Sequence, residues 1–250
     1  MQRSLAEIAA SFDTDKRESP GYLEHFERHF SGLRGEPVKL LELGVFHGGS
    51  LLMWQEYFAQ GLVVGLDLDA NPFTRMPDRV RFYQGSQDDH ALLDRIAREC
   101  APEGFDIVLD DASHVGTLAR ASFRKLFGEH LKRGGLYVVE DWGTGYWDAW
   151  SDGRRYRTAD AKPAPAQGAL ARVRGRLLRA LGTRRPSRSG TDPDFAAHNF
   201  GMVGFVKELV DETAWQDITS PDRGNPSLDR RASLIRELTI HPGHVFVVRA

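Results

Sequence analysis

Acidic residues follow two neighbouring apolar runs in the middle of the chain. The stretch DDASH (110–114) comes directly after FDIVL, and Glu140 and Asp141 end the next run, LYVVED. If both runs are parallel strands, their ends lie about 5 Å apart, so Asp111 and the second acidic pair can converge at one edge of a sheet. Clustered carboxylates repel one another unless they are protonated or bind a cation. Asp111, Glu140 and Asp141 therefore indicate a site for a hard divalent cation such as Mg2+.

A metal at this edge has a defined chemical use. It can bind two oxygens of a substrate and lower the pKa of a hydroxyl group, and His114 is placed to accept the released proton. The alternative is structural, because Asp and Ser are common in turns and caps, and His114 can simply begin a helix. The combination of D-x-x-H (111–114) with a second acidic pair favours a reaction centre.

A glycine-rich turn follows the first apolar run. In LLELGVFHGGS, the glycines are Gly44, Gly48 and Gly49, Ser50 follows them, and Glu42 precedes the first glycine by two residues. The spacing is not G-x-G-x-x-G. A carboxylate disfavours a phosphate at such a turn but attracts the ammonium group of an amino-acid ligand. The turn is therefore predicted to bind an amino acid through close approach of its backbone.

Asp67 ends the second apolar run, LVVGLD (62–67). An acidic residue about 20 residues after such a turn is suitably placed to accept hydrogen bonds from ribose hydroxyls. Together with the glycine turn it indicates a nucleoside-bearing amino acid as ligand. The alternative is that both features serve only as local caps.

Strand-like and helix-like segments alternate through most of the chain. The apolar runs are 38–45, 62–69, 80–86, 105–112 and 135–141, with helical patterns after the first, third and fourth. This alternation predicts an α/β, Rossmann-like doubly wound sheet that binds ligands beyond the carboxyl ends of its strands. The segments RELTI (236–240) and HVFVVRA (244–250), joined by HPG, predict a closing hairpin with an antiparallel last strand.

Composition limits the classes of protein that fit. The chain has 250 residues, 41% of them hydrophobic, and one cysteine, Cys100. It has no apolar run of the roughly 20 residues that a membrane span needs and no secretory signal pattern, so a cytoplasmic location is expected. We predict a single domain over 1–250, with a short N-terminal helical segment at 1–36 and a mobile basic insert at 151–198.

The basic insert concentrates positive charge. Residues 153–190 contain ten Arg and one Lys but only one acidic residue, Asp160. The pattern of ALARVRGRLLRALG (169–182) predicts a short basic amphipathic helix, either a lid or loop on the active site or a contact for a membrane or a lipid-linked acceptor. Nucleic acid is not an expected partner, because the rest of the chain is acidic overall.

At these motifs the chain resembles class I S-adenosylmethionine-dependent methyltransferases. D-x-x-H followed by ED is similar to the magnesium-dependent macrocin- and mycinamicin-type sugar O-methyltransferases and to the cephalosporin hydroxylase-like family. Other matching stretches are DTDK (13–16), YLEHFERHF (22–30), GGLYVVEDWGTGYW (134–147) and GFVKELVDE (204–212). The resemblance implies a seven-stranded sheet with a reversed final hairpin.

The resemblance also implies roles for individual residues. It makes Asp111, Glu140 and Asp141 the metal ligands, with Asp111 and His114 the catalytic residues and His114 the general base. The cofactor contacts that it implies, together with those proposed above, are Glu42, Gly44, Gly48, Gly49, Ser50, Asp67, Ser86, Gln87 and Asp110. Ser86 and Gln87, in GSQDD (85–89), are expected near the adenine.

The predicted function is methyl transfer from S-adenosylmethionine to a sugar hydroxyl, with Mg2+ or another hard divalent cation. The acceptor can be a macrolide deoxysugar, a cell-envelope polysaccharide or a glycolipid, and a homo-oligomer is left open. The aromatic residues after Asp141 can stack on a sugar ring or pack in the core. An NAD(P)-dependent oxidoreductase is one alternative, but G-x-G-x-x-G and Tyr-x-x-x-Lys are both absent. A non-catalytic S-adenosylmethionine-binding scaffold is the other.

Overall fold

A seven-stranded sheet forms the centre of the protein. The computed structural model describes residues 2–18, 21–160, 198–222, 224–225 and 227–250. In these residues the strands are β1 (Lys39–Leu43), β2 (Leu62–Asp67), β3 (Val80–Gln84), β4 (Phe105–Asp110), β5 (Leu131–Glu140), β6 (Ile235–Ile240) and β7 (His244–Arg249). Their order across the sheet is β3-β2-β1-β4-β5-β7-β6.

The direction of the strands matches the sequence prediction. β1 to β5 are parallel, and β7 lies antiparallel between β5 and β6. The central strands are apolar on both faces because helices cover both sides, as in β1, where Leu40 and Leu41 are fully buried. The predicted α/β fold with an antiparallel last strand is therefore confirmed.

Helices enclose the sheet on its two faces. They are α1 (Leu5–Ala9), α2 (Tyr22–Phe30), α3 (Gly49–Tyr57), α4 (His90–Cys100), α5 (Gly116–Lys125), α6 (Ser151–Asp160), α7 (Gly201–Thr213) and α8 (Trp215–Ile218), with short 3-10 turns at Asp15–Arg17, Ser31–Leu33 and Trp142–Tyr146. One core forms between the sheet and α4, α5 and α7, and the other between the sheet and α1 to α3. Within the described ranges, none of these helices is both long and apolar enough to cross a membrane.

The N-terminal segment passes over the glycine turn. Gly49 begins α3, and a Cβ atom added to it would lie 1.7 Å from the carbonyl oxygen of Asp13. Only glycine permits this approach of the two backbones. The next residues form the 3-10 turn Asp15–Arg17, whose first turn is capped by Thr14. The contact thus places Lys16 at the edge of the sheet where the parallel strands have their C-terminal ends.

The first ten residues of the predicted basic insert form a helix, and the insert as a whole stays a prediction. Residues 151–160 form helix α6, which packs on the 3-10 turn Trp142–Tyr146. The buried carboxylate of Asp152 accepts hydrogen bonds from the backbone N–H of Gly116 and of Met202, each at 2.9 Å. This carboxylate joins α6 to the first turns of α5 and α7, which composition alone did not indicate. The predicted amphipathic helix at 169–182 lies outside the described residues.

Replacing Asp152 with alanine should destabilise the protein. The change leaves two buried N–H groups without an acceptor, so we expect the free energy of unfolding to fall by about 1–3 kcal/mol. Urea unfolding followed by circular dichroism measures the difference. Asp78, an exposed residue, gives the control variant Asp78→Ala, which should match the wild type. Equal stability of the Asp152 and Asp78 variants would contradict the capping role.

Candidate active site

Two clefts open side by side at the carboxyl edge of the parallel strands, and the smaller spans the switch in strand order between β1 and β4. The smaller has a volume of about 140 Å³, and its lining includes Gly44, Asp67, Ser86 and Gln87. The larger, of about 420 Å³, is lined by acidic residues and aromatic rings. Ligands of doubly wound folds bind at this switch point.

Asp67 holds the glycine turn at the smaller cleft. Its Oδ2 atom accepts hydrogen bonds from the backbone N–H of Val45 at 2.6 Å and of Phe46 at 3.0 Å. Burial opposes ionisation of Asp67, but the backbone N–H groups of Asp69, Val45 and Phe46 outweigh it and lower the pKa of the carboxyl. Asp67 is therefore an anionic acceptor at the edge of a pocket, as ribose recognition requires.

The glycines allow close approach at three points. Gly44 has a φ of +85°, and a Cβ atom there would lie 2.2 Å from the carbonyl oxygen of Asp111. Gly48, with a φ of +81°, precedes α3, and Gly49 contacts Asp13 as described above. Gly44 therefore lets the glycine turn lie directly against the chain that leaves β4. Since Gly44 lines the smaller cleft and Asp111 lines the larger one, this contact places the two clefts side by side.

Glu42 and Ser50 do not line the smaller cleft. Glu42 is fully buried, and its Oε2 atom accepts a hydrogen bond of 2.8 Å from the hydroxyl of Ser50. Its Oε1 atom lies 3.3 Å from Nζ of Lys16. The binding of a ligand's ammonium group by Glu42 stays a prediction, and the ammonium that lies beside Glu42 in the structure is that of Lys16. Ser50 likewise serves to orient Glu42.

The side chain of Asp110 also makes its hydrogen bonds inside the protein. Its carboxylate is buried and accepts hydrogen bonds from Ser122 at 2.8 Å, Tyr137 at 2.9 Å and Gln87 at 3.0 Å. The side-chain oxygen of Gln87 in turn accepts from the backbone N–H of Ser113 at 3.1 Å. The contact of Asp110 with the cofactor stays a prediction, and in the structure its oxygens accept hydrogen bonds from within the protein. Gln87 borders the smaller cleft while anchoring its wall.

Lys16 lies at the centre of the acidic cluster. Its Nζ atom is 2.8 Å from Oε1 of Glu140 and 2.9 Å from Oδ2 of Asp111, in addition to Glu42. Lys16 is 2% exposed. Sequence reasoning missed this residue, although DTDK was among the matching stretches. The only local signal was the threonine that caps its turn.

The charges at this cluster remain unbalanced. Burial raises the pKa of Glu140 to about 8, the charge of Asp111 adds to the effect, and Lys16 opposes it. Burial likewise raises the pKa of Glu42 to about 7. Although burial disfavours its charge, Lys16 has a pKa raised well above the usual value by Asp111, Glu140 and Glu42. One ammonium therefore does not fully offset the carboxylates, and the cluster has to take up either protons or a further cation.

His114 lies between two carboxylates. Its Nε2 atom is 3.8 Å from Oδ1 of Asp111 and 4.0 Å from Oδ2 of Asp141. Trp150 contacts the imidazole edge to face, with the ring centres 4.8 Å apart. His114 and Asp141 have φ angles of 50° and 52°, in the left-handed region that non-glycine residues seldom adopt. Strain of this kind is typical of functional sites.

Two further residues orient the acids. The hydroxyl of Tyr22 donates a hydrogen bond to Oδ1 of Asp141. His244 pairs with Glu140 across β5 and β7, and its Nε2 atom lies 3.7 Å from Oε2 of Glu140. Burial, together with Lys16, lowers the pKa of His244 to about 3, so this imidazole is neutral. Neither residue was identified from the sequence, because each contact depends on the assembled sheet and its N-terminal cover.

Comparison with known proteins identifies the fold family. No protein-family model matches the chain. Over 223 residues it is 36% identical to mycinamicin VI 2″-O-methyltransferase of Micromonospora griseorubida, covering 82% of this chain and 52% of that protein. It is 39% identical over 213 residues to 8-demethyl-8-alpha-L-rhamnosyl tetracenomycin-C 2′-O-methyltransferase of Streptomyces olivaceus, covering 82% and 53%.

A solved structure extends this similarity to the fold. MycE methyltransferase from the mycinamycin biosynthetic pathway, in complex with Mg and SAH, aligns with a TM-score of 0.71 and 28% identity. The alignment covers 100% of this chain and 54% of that one. The chain has the class I methyltransferase fold. It spans about half the length of the curated relatives that it matches.

The residues of the acidic cluster fit a hard divalent cation. Ligand atoms of Asp111, His114 and Asp141 lie within 4.8 Å of one another, and so do those of Glu42, Asp111 and Glu140. Asp111 belongs to both groups. Carboxylate oxygens are the ligands that Mg2+ prefers, and the negative charge left by Lys16 agrees with that choice. The predicted ligands Asp111, Glu140 and Asp141 are thus gathered at one edge.

Proposed function

We propose that this protein transfers a methyl group from S-adenosylmethionine to a hydroxyl group of a sugar, with a divalent cation at the acidic cleft. The observation that carries the proposal is the junction of the two clefts. The pocket bordered by Asp67 and the glycine turn adjoins the cleft lined by Asp111 and Asp141, because Gly44 of the first lies against Asp111 of the second. His114 approaches both of these acids. A methyl donor in the first and a hydroxyl acceptor in the second would meet at His114.

The names of the relatives support the class of acceptor. One is named for a rhamnosyl tetracenomycin and another for mycinamicin VI, and both are O-methyltransferases. In this chain, Trp147 lines the larger cleft and is 55% exposed, which suits stacking against the face of a sugar ring. A macrolide deoxysugar is the acceptor that the relatives favour, ahead of a polysaccharide or a glycolipid.

In the proposed chemistry the acidic residues bind the cation and the imidazole accepts the proton. A sugar hydroxyl is a weak acid, so it needs help to lose its proton during methyl transfer. Asp111, Glu140 and Asp141 would hold the divalent cation, which when bound positions acceptor oxygens and favours the ionised hydroxyl. His114, held between Asp111 and Asp141, accepts the proton at Nε2. The smaller cleft would orient the methyl donor toward the acceptor oxygen.

A direct assay tests this function. The purified protein, S-adenosylmethionine and Mg2+ are incubated with deoxysugar-bearing macrolides and with their aglycones, and products are analysed by mass spectrometry. We expect a gain of one methyl group on glycosylated acceptors only. Binding of S-adenosylmethionine without turnover on any hydroxyl acceptor would support the scaffold alternative. Oxidation of an acceptor with NAD(P) would support the oxidoreductase alternative.

Replacing Asp67 with alanine should weaken cofactor binding. The variant loses the proposed hydrogen bonds to the ribose hydroxyls, and we expect the binding free energy to fall by about 1–3 kcal/mol. Calorimetric titration with S-adenosylhomocysteine measures this. Asp69→Ala, two residues away on the exposed side of the same turn, is the matched control. An unchanged dissociation constant in a folded Asp67 variant would exclude the ribose contact.

A further inference from the structure

The oxygens of the acidic cluster divide into two sets. Asp111, Glu140 and Glu42 each direct one carboxylate oxygen to Nζ of Lys16, at 2.9, 2.8 and 3.3 Å. The second oxygen of Asp111 lies toward His114, which also approaches Asp141. The ammonium of Lys16 therefore contacts one set of carboxylate oxygens. A second set, from Asp111 and Asp141, faces His114.

Lys16 is fixed in place, unlike a surface lysine. Its side chain is 1% exposed. Its backbone N–H is held by the hydroxyl of Thr14, and the preceding Asp13 is locked against Gly49 by the contact described above. The backbone of the N-terminal segment thus places the ammonium of Lys16 within the acidic cluster.

The position of Lys16 is one that a metal ion can take. Ligand oxygens of Glu42, Asp111 and Glu140 lie within 4.8 Å of one another around the ammonium. Glu42 is fully buried, and its Oε1 atom makes no hydrogen bond, since Lys16 approaches it only as an ion pair. A buried carboxylate oxygen without a donor is costly and is suited to a cation.

We propose that Lys16 limits the acidic cluster to one divalent ion. Its ammonium fills the position among Glu42, Asp111 and Glu140, and this leaves a single metal position on the side of Asp141 and His114. The proposal rests on the divalent cation of the proposed function. Without Lys16, the same carboxylates form a second metal position that shares Asp111 and Glu140 with the first.

Counting bound ions tests the proposal. Mn2+ is titrated into the wild type and Lys16→Met, with calorimetry to measure stoichiometry and electron paramagnetic resonance to detect coupling between neighbouring ions. We expect one ion in the wild type and two coupled ions in Lys16→Met. The double variant Lys16→Met/Glu42→Gln should return to one ion, because Glu42 belongs only to the second position. Lys132→Met, which removes an ammonium paired with Asp106 alone, should keep one ion.

The outcomes separate the two proposals. A wild type that binds no Mn2+ would overturn the metal requirement of the proposed function, and this inference with it. One ion in both the wild type and Lys16→Met would overturn the inference alone. If Lys16→Met is unfolded without metal, Mn2+ should restore its cooperative melting transition by replacing the lost charge. A variant that stays unfolded at saturating Mn2+ would also contradict the proposal.

Discussion

Replacing His114 with asparagine should lower the single-turnover rate of methyl transfer by about 10²–10⁴-fold, the range for loss of one acid-base group. The imidazole approaches Asp111 and Asp141, two acids that line the larger cleft, so it is placed to accept a proton there. Asparagine tolerates the left-handed backbone of residue 114, so the substitution removes the base without adding strain. The rate is measured with saturating acceptor and a labelled methyl donor.

Two measurements separate a catalytic role of His114 from a structural one. The melting temperature and the affinity for S-adenosylhomocysteine should stay near the wild-type values, because Asp67 and the glycine turn are unchanged. His90→Asn, at an exposed position at the start of α4, should have the wild-type rate. A rate within a few-fold of wild type in the His114 variant would exclude the general-base assignment, even if the metal site is intact.

Removing divalent cations should abolish methyl transfer, and added Mg2+ should restore it. Buried carboxylates that one ammonium does not neutralise need a further cation to hold acceptor oxygens at this edge. For the same reason, Asp141→Asn should lower the rate by at least about 100-fold, since metal ions supply several kcal/mol of transition-state stabilisation. Asparagine keeps the shape of the side chain and tolerates the positive φ of residue 141.

The control for the metal prediction lies in the same cleft. Asp15 is exposed and lines the larger cleft, so Asp15→Asn removes a negative charge of the same kind at a different point. Its rate should stay within a few-fold of wild type. Full activity after exhaustive chelation, or equal effects of the Asp15 and Asp141 variants, would contradict a metal held by the acidic cluster.

The sequence predicted the sheet and the convergence of acids, because both follow from local patterns. Buried parallel strands produce continuous apolar runs, and residues at their ends must share an edge. The sequence assigned Asp111 to the metal and Asp110 to the cofactor, but nothing local showed what surrounds Asp110. Successive side chains on a strand point to opposite faces, and only the structure shows Asp110 among Ser122 and Tyr137.

Contacts between distant segments were beyond sequence reasoning. Lys16 and Asp111 are 95 positions apart, and their ion pair depends on the path of the N-terminal segment past Gly49. Glu42 illustrates the same limit. Its charge correctly indicated attraction to an ammonium group, but nothing local identified that ammonium as Lys16. Likewise, the burial of Asp152 depends on where α5 and α7 begin, which the composition of residues 151–160 does not indicate.

The position of β7 determines when the acidic edge is completed during synthesis. β5 leaves the ribosome well before β7, yet β7 inserts beside it and brings His244 to Glu140. Until then β5 is an open edge strand, and Glu140 lacks this neighbour. A nascent chain can therefore pair β1 to β5 and still have an incomplete acidic cluster. Completion of the acidic edge has to wait until β7 joins the sheet.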